Sequence, residues 1–375
     1  MKHEIVVDGD GHVCEPADLW EKRLPPRLRE RGIRLRWNEA TGYDEAHCED
    51  WLITDRGLAG LGNAGITNRD LGKGLHYGPT DLHPAGFDGK ARLEVMDAEG
   101  IDVAVCYPGL GFSLGAIRDR ELGIASCKVY NDWIAEYCSA DPRRLYGAAA
   151  LPMQDPRAAA DEARRAAALG LRGAFVRPNP QGGRALHDPA FTPVWEALEE
   201  LRMPLGFHPA GLFELDGASR AMGHLMAPGV HHPLILFFDQ YMTLANLVYA
   251  GVLQRHPGLR VLVLECGGGW IAHWMDRLDE FMDAYGWQLR QLELKPSEYF
   301  LRQGWLSFDP GEKTMGAMTR FIGPRMIWAS DFPHSDARYP GVVEELREHA
   351  ADLEPEARAG LLGRTALELY GIAAP

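Results

Sequence analysis

"VVDGDGHVCEP" (Val6–Pro16) begins as a buried strand begins and ends in Asp8, Asp10, His12 and Glu15, with Gly9 and Gly11 between them. Four groups able to hold a cation or a proton therefore stand at the end of an apolar run. Strand residues two apart project to the same side, so Asp10 and His12 can face one point. Seven more short apolar runs follow: 101–108, 145–152, 171–178, 203–209, 259–267, 304–310 and 325–333, the first being 4–10. Continuous apolar runs of this length suit strands buried on both faces of a parallel sheet. Between them lie stretches with helical spacing, such as 155–170, which opens on Asp155 and stops at Gly170, and 192–202. Eight strands alternating with helices predict an α/β chain, a (β/α)8 TIM barrel. An open doubly wound sheet would bring a GxGxxG turn after the first strand, and "DGDGHVCEP" is not one.

The chain of 375 residues is read as one barrel domain over 1–375, with insertions at about 40–90 and 209–240. The first insertion is a long Gly-rich loop. Insertions of this length act as lids, binding loops or interface arms. A net charge of −14 argues against a nucleic-acid partner and against an anionic membrane surface. Six scattered cysteines without a CxxC pair suit reduced thiols. The N-terminus has no apolar segment of the signal-peptide kind, and no apolar run of membrane-spanning length occurs. A cytoplasmic protein is expected.

Active sites of such barrels lie at the C-terminal ends of the strands. The residues ending the runs are Asp10 and His12, then Arg177, His208, Glu265, Asp309 and Asp331, with His334 three residues on. Carboxylates and imidazoles distant in sequence thus meet on one rim. Asp10, His12, His208 and Asp331 form a mixed set that suits Zn²⁺ first, and also Mn²⁺ or Fe²⁺. Glu15 reads as a hydrogen-bonding neighbour of a ligand or loop. Asp8 reads as a support for the strand. Asp239, Arg277 and Asp279 read as ion-pairing groups on helices, and Cys14 and Cys266 as packing. His231 and His232 lie in the second insertion, where they could face the pocket. The Trp-rich stretch 267–287 reads as a packed helix, at a subunit contact.

Several segments resemble the amidohydrolase superfamily, in the branch of aminocarboxymuconate-semialdehyde decarboxylase and the γ-resorcylate-type hydroxybenzoate decarboxylases. They are "DGDGHVCEPADLW" (8–20), "RLEVMDAEGIDVAVCYP" (92–108), 172–211, 251–280 and "WASDFPHSDARYPG" (328–341). The resemblance implies one divalent metal ion held by a pair on strand one, a His on strand five and an Asp on strand eight. By position these are Asp10, His12, His208 and Asp331. Two departures stand out. Asp10 replaces the His or Glu of the pair. Glu265 ends strand six, where decarboxylases of this branch carry a His acting as acid and base. Arg177 stands where two-metal members carry a lysine on strand four, which favours a single ion; its planar fork suits a substrate carboxylate.

The expected function is a metal-dependent decarboxylase of an aromatic or unsaturated carboxylic acid. Asp331, Glu265 and His334 are its candidate catalytic residues and Arg177 its substrate anchor. The alternative is a metal-dependent hydrolase of an amide, lactone or C–C bond, in which Asp331 takes a proton from activated water. The partner is a small-molecule substrate, and the resemblance implies a homodimer or larger homo-oligomer.

Overall fold

The computed structural model describes residues 4–54, 58–65, 73–209, 228–288 and 292–375, with backbone alone for 228–236. The eight predicted runs form eight strands: β1 (Val7–His12), β5 (Val103–Tyr107), β6 (Leu145–Ala150), β7 (Gly173–Val176), β8 (Leu205–Phe207), β9 (Val261–Val263), β10 (Gly304–Phe308) and β11 (Met326–Trp328). They pair in parallel in chain order, from β1 beside β5 round to β10 beside β11. Helices between successive strands cover the outside, and the molecule is a (β/α)8 barrel. The strands are short and almost wholly buried, as sheets covered on both faces require. The helix Pro156–Ala168 is capped by Asp155, whose side chain accepts from Arg157 N and Ala158 N. Gly170, in the left-handed region, follows its end.

The first insertion differs from expectation. Its opening part is not loop but two strands, β3 (Tyr43–Cys48) and β4 (Trp51–Thr54), which join β2 (Arg34–Asn38), just before the insertion, in a three-stranded antiparallel sheet. The second insertion falls largely on 210–227, outside the described residues. It ends in the helix Pro228–Tyr249. His231 and His232 lie on that helix, and their side chains are likewise outside the description. No helix among the described residues is long and apolar enough to cross a membrane.

Among the described residues, no strand ladder joins β1 to β11, although the two are neighbours. Other hydrogen bonds close this seam. Asp8, fully buried, accepts from Ser330 N (3.0 Å) and Ser330 Oγ (2.6 Å), and from Arg92 Nη2 at 3.3 Å. Arg92, also buried, donates to the carbonyls of His12 and Phe332 and lies over the Phe332 ring. His12 N donates to Phe332 O, Asp331 N to Asp10 O, and Tyr370 OH to Gly9 O. Such close approach explains the glycines of the opening motif. A Cβ on Gly9 would lie 2.8 Å from Ile327, and one on Gly11 would overlap the Arg92 guanidinium.

Candidate metal centre

β1 carries one extra residue relative to β5, so its register slips between Asp8 and Gly11. Such a bulge re-aims the side chains beyond it. Asp8 turns to the seam, while Asp10 and His12 turn to the barrel mouth. His208 follows β8, Glu265 follows β9, and Asp331 and His334 follow β11.

Hydrogen bonds fix the imidazoles. His12 Nδ1 donates to Pro108 O (2.9 Å) and His208 Nδ1 to Pro209 O (2.7 Å). A carbonyl can only accept, so each Nδ1 carries the hydrogen and each neutral Nε2 presents a lone pair. Both Nε2 atoms are buried and have no hydrogen-bond partner, as do Asp10 Oδ1 and Asp331 Oδ1. They crowd together nonetheless. Asp10 Oδ1 lies 3.9 Å from His12 Nε2 and 3.7 Å from His208 Nε2, and Asp331 Oδ1 lies 3.1 Å from His12 Nε2. Glu265 Oε2 is 3.2 Å from His208 Nε2. Lone pair faces lone pair at each approach, an arrangement that calls for a shared cation or proton. The donor set therefore fits a metal ion on its own chemistry.

Electrostatics agree. Burial lowers the pKa of His208, and His12 beside it adds to the effect. Burial likewise lowers that of His12, helped by His334. Both are thus held as neutral donors. Burial raises the Asp10 carboxyl well above its usual range, and Asp331 adds to this. Burial works to raise Asp331 also, but the His334 and His12 imidazoles outweigh it and hold this carboxyl low. His334 Nδ1 stands 2.8 Å from Asp331 Oδ1, and its ring stacks on His12 at 4.0 Å. Glu265 is raised well above the carboxylate range by burial, then by Asp331 and Asp10. Asp309, which follows β10, is raised to about 6 by burial, with Asp331, Glu312 and Asp336 contributing. Two of these groups adopt left-handed backbone: Glu265 (φ 49°) and Asp331 (φ 56°). Non-glycine residues held there store strain and cluster at active sites.

A family profile described as amidohydrolase matches residues 45–372. The chain belongs to the amidohydrolase family. It is 35% identical over 188 residues to a gamma-resorcylate decarboxylase of Rhodococcus jostii (strain RHA1), an alignment covering 48% of this chain and 56% of that enzyme. The match thus spans little more than half of that relative's length. Among solved structures, an amidohydrolase from Mycobacterium avium subsp. paratuberculosis K-10 superposes with a TM-score of 0.82 at 22% identity, covering 99% of this chain and 100% of that one. A dihydroxybenzoic acid decarboxylase from Polaromonas sp. JS666, with bound manganese and the inhibitor 2-nitroresorcinol, gives 0.64 at 20% identity, covering 99% and 97%. At these identities both structures support the fold.

In this amidohydrolase the six groups Asp10, His12, His208, Glu265, Asp331 and His334 are brought together. Arg177 stands one step away. It is buried and lines a narrow cleft with Phe112 and Gln181. Burial lowers its pKa to about 9, opposed by the nearby Asp239 carboxylate. Asp239 also accepts from Asn179 Nδ2. Arg277 pairs with Glu280, and Asp279 accepts from Ser297 N and Oγ. Cys14 and Cys266 carry free thiols whose pKa values burial raises. Glu15 accepts from Gly109, Leu110 and Gly111 N. That bond set fixes the turn Leu110–Ala116, which holds Phe112. Phe112 stacks on His208 at 4.2 Å and meets His12 edge-on. Nothing in the sequence marks Phe112 as the wall of the centre, because a phenylalanine in "YPGLGFSLG" reads as core.

Proposed function

We propose that this amidohydrolase is a metal-dependent decarboxylase of aromatic or unsaturated carboxylic acids. The crowding of three buried, partnerless ligand atoms carries the reading: Asp10 Oδ1, His12 Nε2 and His208 Nε2, with Asp331 Oδ1 joining them through His12 Nε2 at 3.1 Å. They are the atoms proposed to hold one divalent ion. Bound there, the ion would anchor the substrate carboxylate and an adjacent oxygen and stabilise negative charge on them. The chain's own groups do the rest. Glu265, kept protonated by burial among carboxylates, gives its proton to the carbon that bears the carboxylate. The bond to that carboxylate breaks, CO₂ leaves, its electron pair restores the unsaturated system, and Glu265 regains a proton from water. His334 holds Asp331 in place and is the second candidate acid. Phe112 supplies a flat apolar wall, and Arg177, beside it, is the candidate partner for an anionic substituent. The similarity to a gamma-resorcylate decarboxylase supports a hydroxylated benzoate as substrate.

The two-imidazole, two-carboxylate set accepts zinc, manganese or iron. The carboxylate at Asp10 makes it harder, and the Polaromonas enzyme binds manganese, so manganese is the ion to load first, with zinc beside it. We also propose a homo-oligomer. Its support is the exposed aromatic group Phe281, Tyr285 and Trp287 at the end of the helix Ile271–Tyr285.

One observation favours a hydrolase instead: Asp331, flanked by two imidazoles, is well placed to take a proton from water. The manganese-loaded protein separates the readings. CO₂ release from 2,6-dihydroxybenzoate, with solvent deuterium at the vacated carbon, is expected. Hydrolysis of lactone or amide panels without CO₂ from any hydroxybenzoate would overturn the decarboxylase.

A further inference from the structure

Glu265 owes its place to a turn rather than to a strand. The segment "ECGGGW" (265–270) leaves β9 with Glu265 and Gly267 both in the left-handed region, at φ 49° and 64°. Glycine adopts that region without strain, but glutamate does so only when its surroundings enforce it. Three contacts enforce it here. Glu265 N donates to Ser307 Oγ on β10 (3.3 Å). Trp270 Nε1 donates back to Gly267 O (2.8 Å). The third reaches across from the loop after β10. The Glu312 carboxylate accepts from Gly268 N through both oxygens (2.9 and 3.0 Å) and from Gly269 N (2.9 Å). Successive backbone N–H groups in such a turn form a concave seat for an anion, and the Glu312 side chain occupies it.

The seat is closely built. A Cβ on Gly268 would fall within the Phe308 ring, and one on Gly269 would lie 2.8 Å from Thr314 Oγ1. Thr314 Oγ1 itself donates to the Glu312 carboxylate. Glu312 is anchored in its own loop by its N–H, which donates to Asp309 O (3.0 Å). One carboxylate thus locks the end of β9 to the end of β10, three residues beyond Glu265. The Glu265 carboxyl then reaches His208 Nε2 at 3.2 Å.

We infer that Glu312 is a positioning residue for the reaction, holding the Gly267–Gly269 turn so that Glu265 is presented to His208 and the substrate. The inference rests on the proposed role of Glu265 as proton donor. Glu312 makes no contact with the four ligand atoms; its hydrogen bonds go to the Gly268–Gly269 turn and to its own loop.

The test uses the manganese-loaded protein with 2,6-dihydroxybenzoate and the variants Glu312→Ala, Glu312→Gln, Glu265→Gln and the doubles with Glu265→Gln. Glu312→Ala should lower kcat about tenfold to a hundredfold, with KM and bound manganese unchanged. Glu312→Gln, which keeps one accepting oxygen, should recover much of that loss. In the Glu265→Gln background the Glu312 changes should have no further effect, since both act through one group. An unchanged kcat in Glu312→Ala would overturn the inference. So would losses that multiply in the doubles, or a loss that appears in KM. If Glu312→Ala does not fold, Glu312→Ser, whose hydroxyl is too short to reach the turn, carries the same comparison. If the wild type releases no CO₂ from any hydroxybenzoate, the decarboxylase reading has failed, and a crystal structure of Glu312→Ala decides this one. Glu265 still left-handed and still against His208 would overturn it, and a displaced Glu265 would sustain it.

Discussion

Removing Asp8 should open the barrel where no ladder holds it. Asp8 is fully buried, and Arg92 is 1% exposed. In Asp8→Ala the guanidinium stays buried without its carboxylate, and Ser330 loses the acceptor of both its N–H and its hydroxyl. Breaking a buried ion pair by deleting one partner costs about 3–5 kcal/mol. The carbonyls of His12 and Phe332 still accept from Arg92, which keeps the loss within that range. At roughly 2.1 cal/mol/K per residue, a chain of this length has an unfolding entropy near 0.8 kcal/mol/K, so Tm should fall by about 4–6 °C. Calorimetry on metal-stripped protein measures it without help from a bound ion. The same change frees Ser330, and Asp331 follows it. Manganese affinity should therefore drop about 10- to 100-fold, the usual cost of losing support behind a ligand. A metal-stripped Asp8→Ala that melts with the wild type would refute the idea that this cluster closes the seam. A lower Tm with unchanged manganese affinity would refute the link to the ligands.

Asp10→Ala and His208→Ala should each lose the ion, which mass spectrometry of the purified proteins reads directly. Adding manganese to a thousandfold excess over its Kd should stabilise the wild type by about 4 kcal/mol, and these two variants by far less, in paired thermal scans. Phe112→Ala removes the ring stacked on His208, so it should cost about 3–5 kcal/mol in chemical denaturation. Glu15 gives a pH signature. Burial raises its pKa to about 7, against the pull of the N–H groups of Gly109, Leu110 and Gly111. The folded state therefore binds its proton more tightly than the unfolded state, whose pKa is near 4.5. This stabilisation is full below about pH 4.5, is lost as pH rises through 7, and amounts to about 3 kcal/mol. Glu15→Gln should flatten the fall in stability between pH 5 and 8, as read by urea unfolding at each pH.

All eight apolar runs became barrel strands because a strand buried on both faces must be apolar along its length. The small sheet β2–β4 was missed for the opposite reason. In "RLRWN" the side chains are half-buried or exposed, so charged and apolar residues mix and no clean period survives. The convergence of Asp10, His12, His208 and Asp331 was legible because a parallel barrel puts every strand end on one rim. The devices that aim them were not. The bulge in β1, the Arg92 bridge and the carboxylates seated on glycine turns depend on backbone N–H groups brought close by tertiary structure. "FDPGEK" carries no mark that Glu312 will reach a turn more than forty residues earlier.

The seam between β1 and β11 has a consequence for how the chain completes itself. Asp10 and His12 stand near its beginning and Asp331 near its end, some 320 residues apart, on the two strands that no ladder joins. An ion coordinated by all three is a buckle on a belt of eight strands. Only a chain whose two ends have met can fasten it, and once fastened it keeps them together. Cofactor capture would then be the final step of assembly, and unfolding from that edge would have to undo the buckle first.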